Sequence, residues 1–428
     1  MTSLLETLSC ADDYDPDSLP VDRARQLILS LVVPPGGRER VFVRQALGRV
    51  LAADVMAPAD VPAHDNSAMD GYAVRHADLA AAGATSLRIA GTAFAGHPYR
   101  GTFGKGEAVR IMTGAIVPNG ADTIVIQEVV RLDGDAVVIP SGQRLNQNVR
   151  RAGEDLRAGE PALTAGKLLR PSEIGLLASL GQAEVTLHRR LRVAVFSTGD
   201  ELNSIGNVLQ PGEVYDSNRY SLWGMLTRLG CEVLDMGVLR DDPTALEAAL
   251  LEAAANADAI VTSGGVSVGE ADFIRELMAR LGEVAFWKIA MKPGRPMAFG
   301  RIASAGRIEN GTWLFGLPGN PVAVMVAFYQ FVRPALLKMM GVAEHLIELP
   351  TLRVTCGAPL KKAPGRTEFQ RGQLYQENGE WRVRPTGAQG SGILRSMADA
   401  NCLIVIEQDR GNVAAGEIVG VQLMDGLV

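Results

Sequence analysis

In VTSGGVSVGEADF, residues 261–273, glycine and serine give way to two acids, Glu270 and Asp272. The backbone N–H groups from Ser263 through Gly264 and Gly265 to Ser267 can hold an anion such as phosphate, with a helix N-terminus behind them. Carboxylates repel phosphate. The two halves of the stretch fit one site if a divalent cation lies between them. Mg²⁺ takes one or two carboxylates plus phosphate oxygens and keeps several waters. Suitable acids are Glu201 in STGDEL, Asp241 in VLRDDP, with Asp242 beside it, and Asp272. KIAMKPGRP supplies Lys288, Lys292 and Arg295, two point charges and a fork. Plainer readings stand beside this one. Acids suit a helix N-terminus on dipole grounds alone, and tight turns need glycine anyway. No G-x-x-x-x-G-K-[ST] is present, so this is not a P-loop.

What makes these stretches one set is the run of elements between them. From Leu191, short apolar runs (RVAVF, CEVLDMG, DAIVTS, VAFWKIA, TWLFGL) alternate with helical patterns such as SNRYSLWGMLTRLG and NPVAVMVAFYQFVRPALLKMM. That alternation implies parallel pairing through right-handed crossovers, hence a doubly wound α/β domain over residues 191–340. Ligands of such sheets bind outside the carboxyl ends of the strands. STGDEL, VLRDDP, SGGVSVGEAD, KIAMKPGRP and GLPGNP all follow strands, so all five belong on one edge.

Around this domain the pattern changes twice. Residues 61–150 read as a β-rich insertion of short runs: SLRIAGTAF, GEAVRIMTG, ADTIVIQEVV and DAVVIP. Helical segments flank it, with Val21, Ala24, Leu27, Ile28 and Leu31 on one period, capped by Ser18, and RPSEIGLLASLG ending at Gly181. They suggest one domain split between residues 15–60 and 151–190. Residues 345–428 read as all β, a small barrel or sandwich. In the insertion, HDNSAMDGYAVR and RIMTGAIVPNG hold Asp70 and Thr113, which can contact a ligand or merely shape turns. In the last domain, Arg371 of GRTEFQRG and Ser391 of GAQGSG can reach an oxyanion or lie on a β surface.

The 428-residue chain has a net charge of −6, which argues against bulk binding to nucleic acid or an anionic membrane. Its four cysteines form no C-x-x-C pair, the N-terminus has no signal-peptide pattern, and no apolar run is long enough to span a bilayer. A cytoplasmic enzyme is expected.

DNSAMDGYA, RIMTGA, FSTGDEL, YDSN, SGGVSVGEAD, KPGRP, GLPGNPVA and FQRG, in this order, resemble the molybdopterin molybdotransferase (MoeA) family, which includes the gephyrin E domain. The resemblance runs from about Leu19 to the C-terminus. It implies a four-domain subunit and a homodimer, with the cleft between the α/β domain of one subunit and the insertion of the other. The implied reaction inserts molybdate into adenylylated molybdopterin, releases AMP and uses Mg²⁺. Matched residue by residue, it implies catalytic roles for Asp70, Thr113, Glu201, Asp272, Lys288 and Lys292, and metal binding by Glu201 and Asp241. Ser263, Gly264, Gly265, Ser267, Arg295, Pro318 and Pro321 fall on the phosphate or substrate, and Arg371 and Ser391 on molybdate. Arg295 stands where many members have lysine. Contacts with a molybdopterin adenylyltransferase and with molybdoenzyme assembly factors are further expectations. The alternatives are an adenylyltransferase one step earlier, or a gephyrin-like scaffold.

Overall fold

The computed structural model describes residues 19–265, 272–304 and 307–424. They fall into two compact units. One comprises Ala53–Ala165 and Ser172–Ala183; the other holds the remaining described residues.

The larger unit begins with helix α1 (Val21–Leu31), which buries Val21, Ala24, Leu27 and Ile28. These are four of the five residues its period singles out. Its N-cap is Pro20, without a side-chain cap; Ser18 lies outside the described residues. The α/β layer follows: β1 (Arg192–Thr198), α2 (Ser217–Leu229), β2 (Glu232–Leu239), α3 (Pro243–Asn256), β3 (Ala259–Ser263), α4 (Asp272–Leu281), β4 (Gly282–Lys288), the short β5 (Met291–Lys292), β6 (Pro296–Ser304) and β7 (Arg307–Leu317). The sheet order is β2-β1-β3-β7-β6-β4. β1 pairs in parallel with β2 and β3, and β3 with β7, as the βαβ rhythm requires. Strand β3 is buried throughout, which is why it opens on the apolar run Ala259-Ile260-Val261 before Thr262 and Ser263.

One strand departs from that rhythm. β6 runs antiparallel to both β7 and β4. Its sequence, PMAFGRIAS, follows a Gly-Arg-Pro turn and mixes glycine and arginine with its apolar residues, so no strand was expected there. The sheet is therefore mixed. Because Lys288 pairs with Pro296, residues 289–295 still turn at the same edge as the ends of β1, β2, β3 and β7.

A long helical stretch, Pro321–Met339, closes the layer: α5 (Pro321–Ala327), a π-helical turn (Phe328–Val332) and α6 (Arg333–Met339). By length and composition it could cross a bilayer (mean hydropathy 1.4), contrary to the expectation that no run could. Some 83% of it is buried within the unit, as in a core helix. Fully buried Gln330 in the π turn accepts from Arg25 through both its carbonyl and its side chain, at 3.1 and 2.8 Å. Its amide donates to Gln422 at 2.9 Å. The widened turn thus ties α1 to the C-terminal sheet.

That sheet contains β8 (Leu352–Cys356), β9 (Thr367–Glu377), β10 (Glu380–Pro385), β11 (Cys402–Ile406) and β12 (Ile418–Leu423). The order β9-β10-β8-β12-β11 closes back on β9, making a five-stranded barrel. β5 adds to β9 in parallel, pairing Lys292 with Glu368. In the smaller unit, Thr123–Ile126, Gly71–Val74, Glu107–Ile111, Ala84–Ala93, Ala136–Pro140 and Arg131–Asp133 form, in that order, one six-stranded sheet. Four of these strands fall in the β runs read from the insertion; Gly71–Val74, within HDNSAMDGYAVR, and Arg131–Asp133 were not among them.

Candidate functional site

Registration sets the edge. Thr198 lies level with Leu239, and Ser197 with Ser263, which pairs with Leu317. From β1 the chain crosses to β2 on one side and then to β3 on the other. The crevice between the ends of β1 and β3 is therefore a topological switch point, where such sheets take their ligands.

Glu201 is exposed just past β1. A Cβ on Gly199 would sit 2.5 Å from its Oε2, so the carboxylate folds back over that glycine. The neighbouring loop is stitched to this turn: Asp241 N–H donates to Asp200 Oδ1 at 3.2 Å, and Arg240 donates to the Asp200 carbonyl. Asp242 is engaged differently. Its carboxylate caps α3, accepting from Thr244 N–H at 2.7 Å and Ala245 N–H at 3.2 Å, with Pro243 opening the helix. Of the two acids, Asp242 is thus the N-cap of α3. No group of three or more His, Cys, Asp or Glu converges among the described residues. Two exposed carboxylates on neighbouring loops fit Mg²⁺, which fills its shell with water and phosphate oxygens, better than a metal needing a full protein cage.

The glycine loop is built by close approach. Gly264 has φ +93°, and a Cβ there would meet the Thr198 carbonyl at 2.5 Å. Gly265 is also left-handed, at φ +70°. Gly264→Ala is therefore strained twice over. It should displace the loop and weaken phosphate-bearing ligands by at least tenfold in a binding titration; unchanged affinity would show that the loop touches no ligand. Ser267 lies outside the described residues, as do Glu270 and the side chain of Asp272, whose backbone opens α4.

Ser263 shows what the sequence reading missed. Asn218, two residues into α2, donates from Nδ2 to Ser263 Oγ at 2.7 Å and to the Gly319 carbonyl at 2.6 Å. It thereby ties the SGG loop to the LPGNP loop. Pro318 is buried, and Pro321 is the first residue of α5. The helix start that carries Asn218 is fixed by a partly buried ion network. Asp216 caps α2, accepts from Ser197 Oγ at 3.0 Å and pairs with Arg219, which also grips Asp235 at 2.6 Å. YDSN, which holds Asn218, was the visible signal: it is one of the motifs that carry the resemblance, but none of its residues was given a role.

Lys288 ends β4, and the Arg295 carbonyl accepts from Ile289 N–H at 2.7 Å to close the turn that carries Lys292. Lys292 pairs with Glu368 of the barrel at 3.1 Å. Arg371, three residues further along β9, is 1% exposed. Its Nε donates to Ser396 Oγ and its Nη2 to the Gly390 carbonyl, both at 2.9 Å. No carboxylate offsets it among the described residues, and burial pushes its pKa down. The Ser391 carbonyl accepts from Val322 N–H at the start of α5, at 3.1 Å. Arg371 and the 387–391 loop are thus docked at the LPGNP end of the sheet edge.

The smaller unit has its own polar point. Asp70 Oδ1 accepts from Thr113 N–H at 2.7 Å and from its hydroxyl at 2.8 Å, and these bonds, the backbone one foremost, hold the carboxyl below its usual range. Thr113 is exposed. Cys231, Cys356 and Cys402 are free and buried; burial pushes Cys231 and Cys402 up to about 12, so neither is poised as a thiolate.

Comparisons with known proteins cover the chain in three stretches. Residues 19–181 match the MoeA N-terminal region (domain I and II), 194–338 a probable molybdopterin binding domain, and 353–424 the MoeA C-terminal region (domain IV). The chain is 44% identical over 412 residues to a molybdopterin molybdenumtransferase of Haemophilus influenzae, covering 96% of this chain and 100% of that one. It is 36% identical to a protein of the same name from Nostoc sp., covering 89% and 87%. The crystal structure of a molybdopterin biosynthesis moeA protein from Pyrococcus horikoshii OT3 superposes with a TM-score of 0.80 at 29% identity, covering 95% of this chain and 100% of that one.

Proposed function

The chain belongs to the MoeA family and is a molybdopterin molybdenumtransferase, and we propose that it inserts molybdate into adenylylated molybdopterin with release of AMP in a Mg²⁺-dependent reaction. The observation that carries this reading is Arg371, a buried cation with no carboxylate partner among the described residues. A buried charge is costly unless something opposite meets it. Molybdate, a small dianion, is such a partner, and Arg371 with Ser391 of the adjoining loop offers it hydrogen bonds.

The other residues divide the remaining work. Glu201 and Asp241 would hold Mg²⁺, which supplies Lewis-acid polarisation of the phosphoanhydride when bound. The amides of residues 263–265 orient the phosphates. Lys288, Lys292 and Arg295 offset the charge that grows on the leaving AMP, and Lys288 and Lys292 also help guide molybdate, a dianion, to the site. Asp70 and Thr113 are assigned to substrate contact from the insertion. A homodimer is supported by the exposed aromatic face of α2, where Tyr220 and Trp223 are 43% and 49% exposed. The cytoplasm is the compartment that suits these substrates, and a molybdopterin adenylyltransferase and apoenzyme assembly factors are the expected neighbours.

The test is direct. With adenylylated molybdopterin, Mg²⁺ and molybdate, the protein should release AMP. Glu201→Gln should lower the rate by about a hundredfold or more while leaving the fold intact. Pyrophosphate release from ATP would instead indicate an adenylyltransferase, and no turnover at all would sink the proposal.

A further inference from the structure

Glu368 is a buried acid that stability does not explain. Its side chain is 6% exposed, while its partner Lys292 is 48% exposed. Oε1 accepts from Lys292 Nζ at 3.1 Å. Oε2 accepts from Gln370 Nε2 at 2.9 Å, and the same amide nitrogen donates to the Lys361 carbonyl at 3.0 Å. Taking a carboxylate out of water costs several kcal/mol, on the order of what a good buried partner returns. A partner half in water returns much less.

What the arrangement provides is direction. The parallel register of β5 and β9 sets Glu368 opposite Lys292. Gln370 fixes the plane of the carboxylate. A lysine on a flexible four-carbon stem thereby gains one fixed anchor from the barrel side. The second cation nearby is already engaged: Lys362 Nζ donates to the carbonyls of Ala363, Gln408 and Arg410 at 3.2, 3.0 and 2.6 Å. Burial lowers the Lys362 pKa, and Glu368 is foremost among the acids that oppose this. The carboxylate thus faces Lys292, which the 289–295 turn carries at the sheet edge.

We propose that Glu368 is a positioning residue for molybdenum insertion, holding the Lys292 ammonium in its working place at the sheet edge. The proposal rests on the reading of Lys292 as a substrate-facing group. Glu368→Gln keeps the shape and removes the charge. In the AMP-release assay with molybdate varied, kcat/KM for molybdate should fall about tenfold to a hundredfold, as when other outer partners are lost. The unfolding midpoint should stay within a few degrees. Glu368→Asp, with the charge one methylene further back, should fall between the two.

The decisive readout is coupling. Molybdate affinity is measured by calorimetry in Lys292→Ala, where the other cationic groups keep binding measurable. Adding Glu368→Gln to that background should change nothing further. If Glu368→Gln does not fold, Glu368→Asp takes its place in the cycle. Additive losses, or wild-type kinetics in Glu368→Gln, overturn the proposal. Wild-type binding and turnover in Lys292→Ala alone would instead remove the reading of Lys292 on which it rests, so the two failures are distinguishable.

Discussion

Arg371→Met should lower turnover by two to three orders of magnitude, about the loss seen when one preorganised charge donor is removed from an active site. The argument lies in what the variant does not lose. Methionine keeps the apolar stem and most of the volume in a site only 1% exposed. It forfeits two hydrogen bonds, to Ser396 Oγ and the Gly390 carbonyl. Against that loss of roughly 1–3 kcal/mol for each unsatisfied group, it removes a buried cation that no carboxylate among the described residues neutralises. Urea unfolding should therefore show a change much smaller than the activity loss. Molybdate affinity should fall with kcat/KM, whereas AMP affinity should hold. If stability and turnover collapse together, Arg371 is an internal brace for residues 387–391 and not an anion ligand.

That contrast also shows what could be read from the chain. The α/β layer was legible because β1, β3 and β7 are apolar runs separated by helix-length patterns, and the edge loops followed from topology. β6 was not legible: its alternation is broken by glycine and arginine, and only pairing with β4 and β7 makes it a strand. The chemistry-bearing residues stood out where several unlike types crowd one loop, as at Glu201 or Lys292. Their supports did not. Asn218, Glu368 and Gln370 act through partners 45, 76 and 9 residues away, and no local period marks such contacts. The choice between Asp241 and Asp242 was open for the same reason, since the capping of α3 by Asp242 shows only in the folded chain.

The largest stability effect is expected at Arg219. Its guanidinium meets Asp216 at 3.0 Å and Asp235 at 2.6 Å, with the arginine and Asp216 side chains 10% and 1% exposed. Arg219→Met leaves the Asp216 carboxylate buried without a counter-charge, which costs about 3–5 kcal/mol. Asp216 still caps α2 and accepts from Ser197, so the helix should persist while its anchorage to β1 and β2 loosens. Acid should expose the same network. Burial tends to raise the Asp235 pKa, but Arg219 and the Gly237 N–H outweigh it and hold the carboxyl below its usual value. A group depressed in the folded state adds stability that is present above its unfolded pKa, about 3.9, and is lost as pH falls through the folded value. The wild type should therefore lose stability in that acid window, and Arg219→Met should start lower and lose less there. Because α2 carries Asn218, the variant should also loosen the tie between Ser263 and Gly319 and weaken phosphate-bearing ligands at neutral pH. Equal acid slopes in the two proteins, measured by urea unfolding from pH 7 downward, would count against the network as the anchor of the site.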